Sequence, residues 1–257
     1  GYLPISMAGS MAKRLSVQKA LDEAKKVKDE ALISAWQDCA STWHDNYTDT
    51  GDAVVRYSDG SAVIVLDSEN LRAINPKSKL SNNYLVLADE DAEALKGKGL
   101  KLSNEQVQKL HGKSWSRKDV KDIEEWQYLA RGKDSLTEYS DLVFDECKRR
   151  FKYDENMGLY FPSPQKKPIM GLWGLSRFYD RSDAFGRYDL DNGIGRLVGV
   201  RGAPEAQVAQ KNLVAEVQAG PNRKEQSLDG KVNSALNAGR AFEHNGVLYV
   251  PVDKTKL

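Results

Sequence analysis

The chain has 257 residues, with 38 Lys and Arg against 37 Asp and Glu and 40% hydrophobic residues, which fits one large soluble domain or two small ones. A chain of this size buries enough surface to fold without a disulfide or a structural metal. No run approaches the roughly 18 apolar residues of a membrane helix and no signal-peptide pattern is present, so no membrane partner is expected and the protein reads as cytoplasmic.

Gly1–Ser10 lacks periodicity and Met11 follows a Gly-Ser pair as an initiator would, so residues 1–10 read as an expression tag and 11–257 as a single domain. Val17, Leu21, Ala24, Val27, Ala31, Ala35, Cys39 and Trp43 recur every three or four residues, predicting one long amphipathic helix from Ser16 to Trp43 with Ser16 as its cap. Its apolar face can meet its own domain or a second copy of the chain, which makes a homo-oligomer one expected state. Ala53 to Leu66 predicts a hairpin turning at Asp59-Gly60, and Asn83 to Ala88 a further strand.

Ser103 with Gln106 forms a capping-box pattern for a short helix stopped at Gly112. A second helix is predicted from Arg117 to Ala130, and a third opens at Ser135 and Glu138 and ends in Lys148-Arg149-Arg150. Helical patterning resumes over Ala203–Ala219 and Glu225–Ala238, and Asn245-Gly246 marks a hairpin within Ala241–Val252. Strands come in groups between blocks of helix, without regular βαβ alternation. The fold class is therefore α+β, with a mainly antiparallel sheet, several packed helices and a long N-terminal helix.

Residues 148–201 differ from the rest: eleven basic and six acidic residues give them a net charge of +5, whereas the remainder carries −4. The segment also holds nine of the 22 aromatic residues and seven of the 14 arginines. Guanidinium groups pair with phosphates and aromatic faces stack bases, so this mixture suits single-stranded nucleic acid or RNA. The candidate contact residues are Lys148, Arg149, Arg150, Arg177, Phe178, Tyr179, Arg181, Phe185, Arg187 and Tyr188. A structural explanation stands beside this one: Asp180, Asp183 and Asp189 can pair with neighbouring arginines, and the rings can form the core of a loop-rich region.

Ala62 to Glu69 is an apolar strand ending in Asp67-Ser68-Glu69, and over those eight residues it resembles the first motif of DEDD-type exonucleases. The resemblance implies a divalent cation shared by Asp67 and Glu69, while a strand ending in a polar turn explains the same residues. Gly193-x-Gly195 precedes a strand rather than a helix, which removes a dinucleotide role, and Asp189 to Gly193 lacks the later Glu of a calcium loop. His44, His111 and His244 each lack an accompanying base or ligand, and Cys39 and Cys147 fit no zinc pattern and read as free thiols. No catalytic residue, cofactor or metal is assigned.

These features predict a non-enzymatic protein that binds single-stranded nucleic acid or RNA through residues 148–201. Two alternatives use other chemistry: a protein-binding inhibitor or assembly factor working through the same Arg/aromatic surface, and a metal-dependent nuclease built on Asp67 and Glu69.

Overall fold

A computed structural model of the protein describes residues 2–178, 181–188, 196–197, 199–201, 242–244 and 247–249. The chain divides into two units, Leu3–Val200 and a second made of residues 1–2 and 201–257. Within the second, β14 (Phe242–His244) and β15 (Val247–Tyr249) pair antiparallel, with Phe242 opposite Tyr249 and His244 opposite Val247, as the Asn-Gly signal predicts. The helices expected at 203–219 and 225–238 and the glycine and acidic motifs of 189–195 lie outside the described residues.

Residues 3–10 are built into the first unit. After strand β1 (Tyr2–Pro4), Ser6 caps helix α1 (Met7–Val27) by accepting the Gly9 N–H at 3.1 Å. Ile5, Met7 and Ser10 are buried, and the Met7 N–H donates to the buried Asp52 carboxylate at 2.7 Å. Ile5 and Met7 lie on either side of the cap, too few apolar positions to show a period.

The long helix is also two helices. Lys28 adopts a left-handed conformation, and Asp29 accepts the Ala31 and Leu32 N–H groups to cap α2 (Glu30–His44). The apolar period runs through the break because both arms of this helical hairpin face a shared seam of Val17, Leu21 and Ala40 with Ile33, Trp36 and Trp43.

The main sheet is built on β2 (Thr48–Arg56), every residue of which is buried. It pairs antiparallel with β3 (Ala62–Val65) across the predicted turn, where Gly60 takes a φ of +84° that a side chain rarely adopts. A short helix α3 (Glu69–Arg72) follows, and β4 (Leu80–Ser81) and β5 (Tyr84–Val86) form a hairpin through left-handed Asn82 and Asn83. Then come α4 (Asp89–Lys96), β6 (Leu100–Leu102) beside β3, and α5 (Asn104–Leu110), which carries the predicted capping box in full.

Past β7 (Trp115–Ser116), the helix expected over 117–130 is interrupted at Ile123: a 3-10 turn spans Asp119–Asp122 and α6 spans Glu124–Leu129. Helix α7 (Lys133–Phe151) ends in the expected cations. Beyond it lie β8 (Glu155–Asn156), β9 (Leu159–Tyr160), β10 (Ile169–Leu175), β11 (Ala184–Tyr188), β12 (Arg196–Leu197) and β13 (Gly199–Arg201). The central strand order is β4, β5, β10, β2, β3, β6, all antiparallel. β11 pairs antiparallel with β10, while β9 runs parallel to β11 and β12 parallel to β2.

Strand alternation sorts the side chains into two cores. Val54, Ile64 and Trp173 join Trp126, Tyr139, Val143 and Phe161 beneath α1, α6 and α7 on one side. Ala53, Val55, Val63 and Met170 join Leu87 and Leu95 on the other. The protein is α+β with a mostly antiparallel sheet. Among the described residues no helix is long and apolar enough to cross a membrane.

Candidate binding surface

Helix α7 delivers the first group of predicted contact residues. Lys148 pairs with Asp154 at 3.5 Å and Arg149 with Glu146 at 2.5 Å, so both cations are spent on neighbours of their own segment. Arg150 points elsewhere: it meets Asp45 at 2.7 Å and lies 5.0 Å from the centre of the Phe151 ring. At Lys152 the chain turns left-handed and closes the helix. That reversal lets two rings two residues apart stack, Phe151 and Tyr153, with centres 6.0 Å apart.

The turn after β10 brings the second group. The Arg181 N–H donates to the Phe178 carbonyl at 3.0 Å and the Ser182 N–H to the Arg177 carbonyl at 3.2 Å. Arg181 and Ser182 both have positive φ, +71° and +55°, a costly conformation for side-chain-bearing residues that recurs where a surface must be held for binding. Arg181 is exposed and stands 5.4 Å from the Tyr153 ring centre, while Arg177 stands 5.3 Å from that of Tyr47. In space the order is Arg150, Phe151, Tyr153, Arg181, and the same turn and the α2–β2 connection bring a second pair, Arg177 over Tyr47.

Of the other predicted residues, Phe178 and Phe185 lie away from this face. Phe178 is fully buried, stacked on His44 at 4.5 Å and 5.2 Å from the Arg14 guanidinium, so it supports the turn from below. Phe185 stacks flat on Tyr160 across the β11–β9 pair, centres 4.5 Å apart, forming a separate aromatic pair. Arg187 and Tyr188 lie on β11, and Tyr179 falls outside the described residues. Sequence reasoning passed over Tyr47 and Asp45, which come from the α2–β2 connection about a hundred residues away. Phe151 and Tyr153 were counted in the segment but not singled out; their place directly after a basic helix end was the available signal.

A groove of about 610 Å³ runs between α1, α2 and α7 and meets this face at Asp45 and Arg150. Leu21, Ala40 and Leu142 line it, with His44 at its base. Burial holds the His44 imidazole below its ordinary value of 6.5, with the Arg14 carbonyl at 3.3 Å from Nε2 acting against that trend. Burial pushes the Cys147 thiol up to about 12 and also raises that of Cys39, so neither supplies a thiolate at neutral pH.

At the proposed metal pair, Asp67 faces Arg131 at 2.8 Å, and its N–H donates to Asp52 at 2.8 Å. Glu69 opens α3. Among the described residues no group of three or more His, Cys, Asp or Glu side chains is placed to hold a metal ion.

No protein-family model matches the chain, and no curated protein sequence matches it. In fold it is similar to a solved structure described as the accommodation of massive sequence variation in Nanoarchaeota by the C-type lectin fold. The two superpose with a TM-score of 0.51 at 12% identity, over 73% of this chain and 83% of that one.

Proposed function

We propose that the chain is a non-enzymatic recognition module that binds another protein through the face of Tyr47, Arg150, Phe151, Tyr153, Arg177 and Arg181, as an inhibitor or assembly factor does. The observation that carries this reading is the ladder from Arg150 to Arg181, in which each of two rings is flanked by the other ring and by a guanidinium. Tyr and Arg dominate interface hot spots, and a guanidinium stacked by its face keeps its in-plane N–H groups for carboxylates and carbonyls. Rings flanked in this way have less free face for a base, which is what favours a protein over a nucleic acid. The C-type lectin likeness is in keeping with a scaffold whose core sets the shape and whose surface sets the partner. Two free thiols support a reducing compartment such as the cytoplasm.

Single-stranded nucleic acid or RNA is the second reading, favoured by the guanidinium groups of Arg150, Arg177 and Arg181 beside aromatic rings. One pair of experiments separates the two. The protein and a variant carrying Arg150→Ala, Tyr153→Ala and Arg181→Ala are used to capture partners from the producing cell, with and without nuclease. Alongside, gel shifts with single-stranded and duplex DNA and RNA are run at low and moderate salt. The proposal expects a protein held by the parent chain, lost by the variant and indifferent to nuclease. A salt-sensitive shift of single strands, abolished in the variant, would replace it with the second reading.

A further inference from the structure

We infer that Arg14 is a positioning residue that presets the recognition face from inside the protein, an inference whose functional meaning rests on the reading above. Arg14 lies on α1 and is fully buried. Its hydrogen bonds all go to uncharged oxygens: from Nη1 to the Tyr139 hydroxyl at 2.9 Å, the Ser176 carbonyl at 2.8 Å and the Ser182 hydroxyl at 3.2 Å, and from Nη2 to the Asn46 carbonyl at 3.1 Å. The Phe178 ring adds a contact at 5.2 Å.

Three of these partners adjoin a member of the face in sequence. Asn46 sits between Asp45 and Tyr47, Ser176 precedes Arg177, and Ser182 follows Arg181. Tyr139 lies on α7, the helix that ends in Arg150 and Phe151, and its hydroxyl also bonds Ser182 at 2.5 Å. One buried guanidinium therefore joins the three segments that together build the face.

Energetics argue against stability as its purpose. A buried cation loses its hydration, and well-packed apolar replacements of buried charges are often neutral or stabilising. What an apolar side chain lacks is a rigid fork of donors able to fix several carbonyls and hydroxyls in one arrangement. Holding Arg181 and Ser182 at positive φ needs such a restraint.

The test is NMR-detected hydrogen exchange on the full chain carrying Arg14→Met and, separately, Tyr139→Phe. Both variants are expected to speed exchange of the Arg181 and Ser182 amides roughly tenfold or more, while amides of β2 and β10 keep the parent protection. Unchanged turn amides in both variants, or a uniform loss across the whole unit, would overturn the inference. Should Arg14→Met fail to fold, Arg14→Lys, which keeps the charge but not the fork of donors, takes its place with the same expected and overturning results. The exchange readout needs no partner, so its failure is distinct from failure to find one.

Discussion

Arg150 meets Asp45 at 2.7 Å, tying the last turn of α7 to the end of α2 at the rim of the groove between α1, α2 and α7. The two side chains retain 27% and 36% of their exposure, so water screens the pair and the bridge contributes little to folding. A double-mutant cycle with Asp45→Ala and Arg150→Ala, read by urea unfolding, should give a coupling of about 0.2–1 kcal/mol. A coupling of several kcal/mol would mean that Arg150 is a structural residue rather than a member of a binding face.

Phe178 and Tyr153 came from one aromatic-rich segment and should separate cleanly on truncation. Phe178 is fully buried, and Phe178→Ala should cost about 3–5 kcal/mol through lost transfer energy and a cavity. Tyr153 remains 41% exposed, and Tyr153→Ala should cost under about 1 kcal/mol. Denaturant midpoints of the two variants check this, and equal losses would contradict the division between core and face.

The N-terminal residues should be indispensable. Removing residues 1–10 takes away the Ser6 cap, the buried Ile5 and Met7 side chains and the bond from Met7 to Asp52. Met7→Ala alone should cost about 2–5 kcal/mol, and the deletion more. Thermal unfolding of a chain starting at Met11 that matches the full chain would contradict this and favour the tag interpretation.

What the sequence disclosed follows from how local each cause is. The Asp59-Gly60 turn, the Ser103 and Gln106 capping box and the pairing of Phe242–His244 with Val247–Tyr249 are set within a few residues, and each is present as predicted. The break at Lys28 was hidden because both arms of the α1–α2 hairpin present apolar residues to one seam, so the period continued through the turn. The α+β class was legible for the same local reasons. The face was only half legible: Arg150 and Arg181 were named from composition, but Tyr47 and Asp45 reach it only because α2 and α7 both pack on α1, which brings the end of α2 to Arg150. Composition also cannot tell a ring stacked over a cation at the surface from Phe178, stacked over a cation indoors.

His44 gives the protein a pH dependence of defined sign. Burial lowers its folded-state value beneath the ordinary 6.5, and the weaker pull of Glu146 and Asp45 does not reverse that. The unfolded chain therefore takes up the proton first, so the stability contributed by neutral His44 is present above about 6.5 and is lost as pH falls from there through the folded value. Between pH 7.5 and pH 5 the melting temperature of the parent should fall relative to that of His44→Phe, which keeps a ring against Phe178 and lacks the titrating group. Parallel pH profiles for the two proteins would contradict this.

The most direct test of the recognition face is a photo-crosslinkable phenylalanine derivative placed at position 153, with a control at the exposed Leu80 on β4, irradiated in the producing cell. The account predicts a discrete, nuclease-resistant protein adduct from position 153 that vanishes when Arg150→Ala and Arg181→Ala are added, and none of it from position 80. An adduct of equal yield from both positions, or one that survives loss of both arginines, would contradict it.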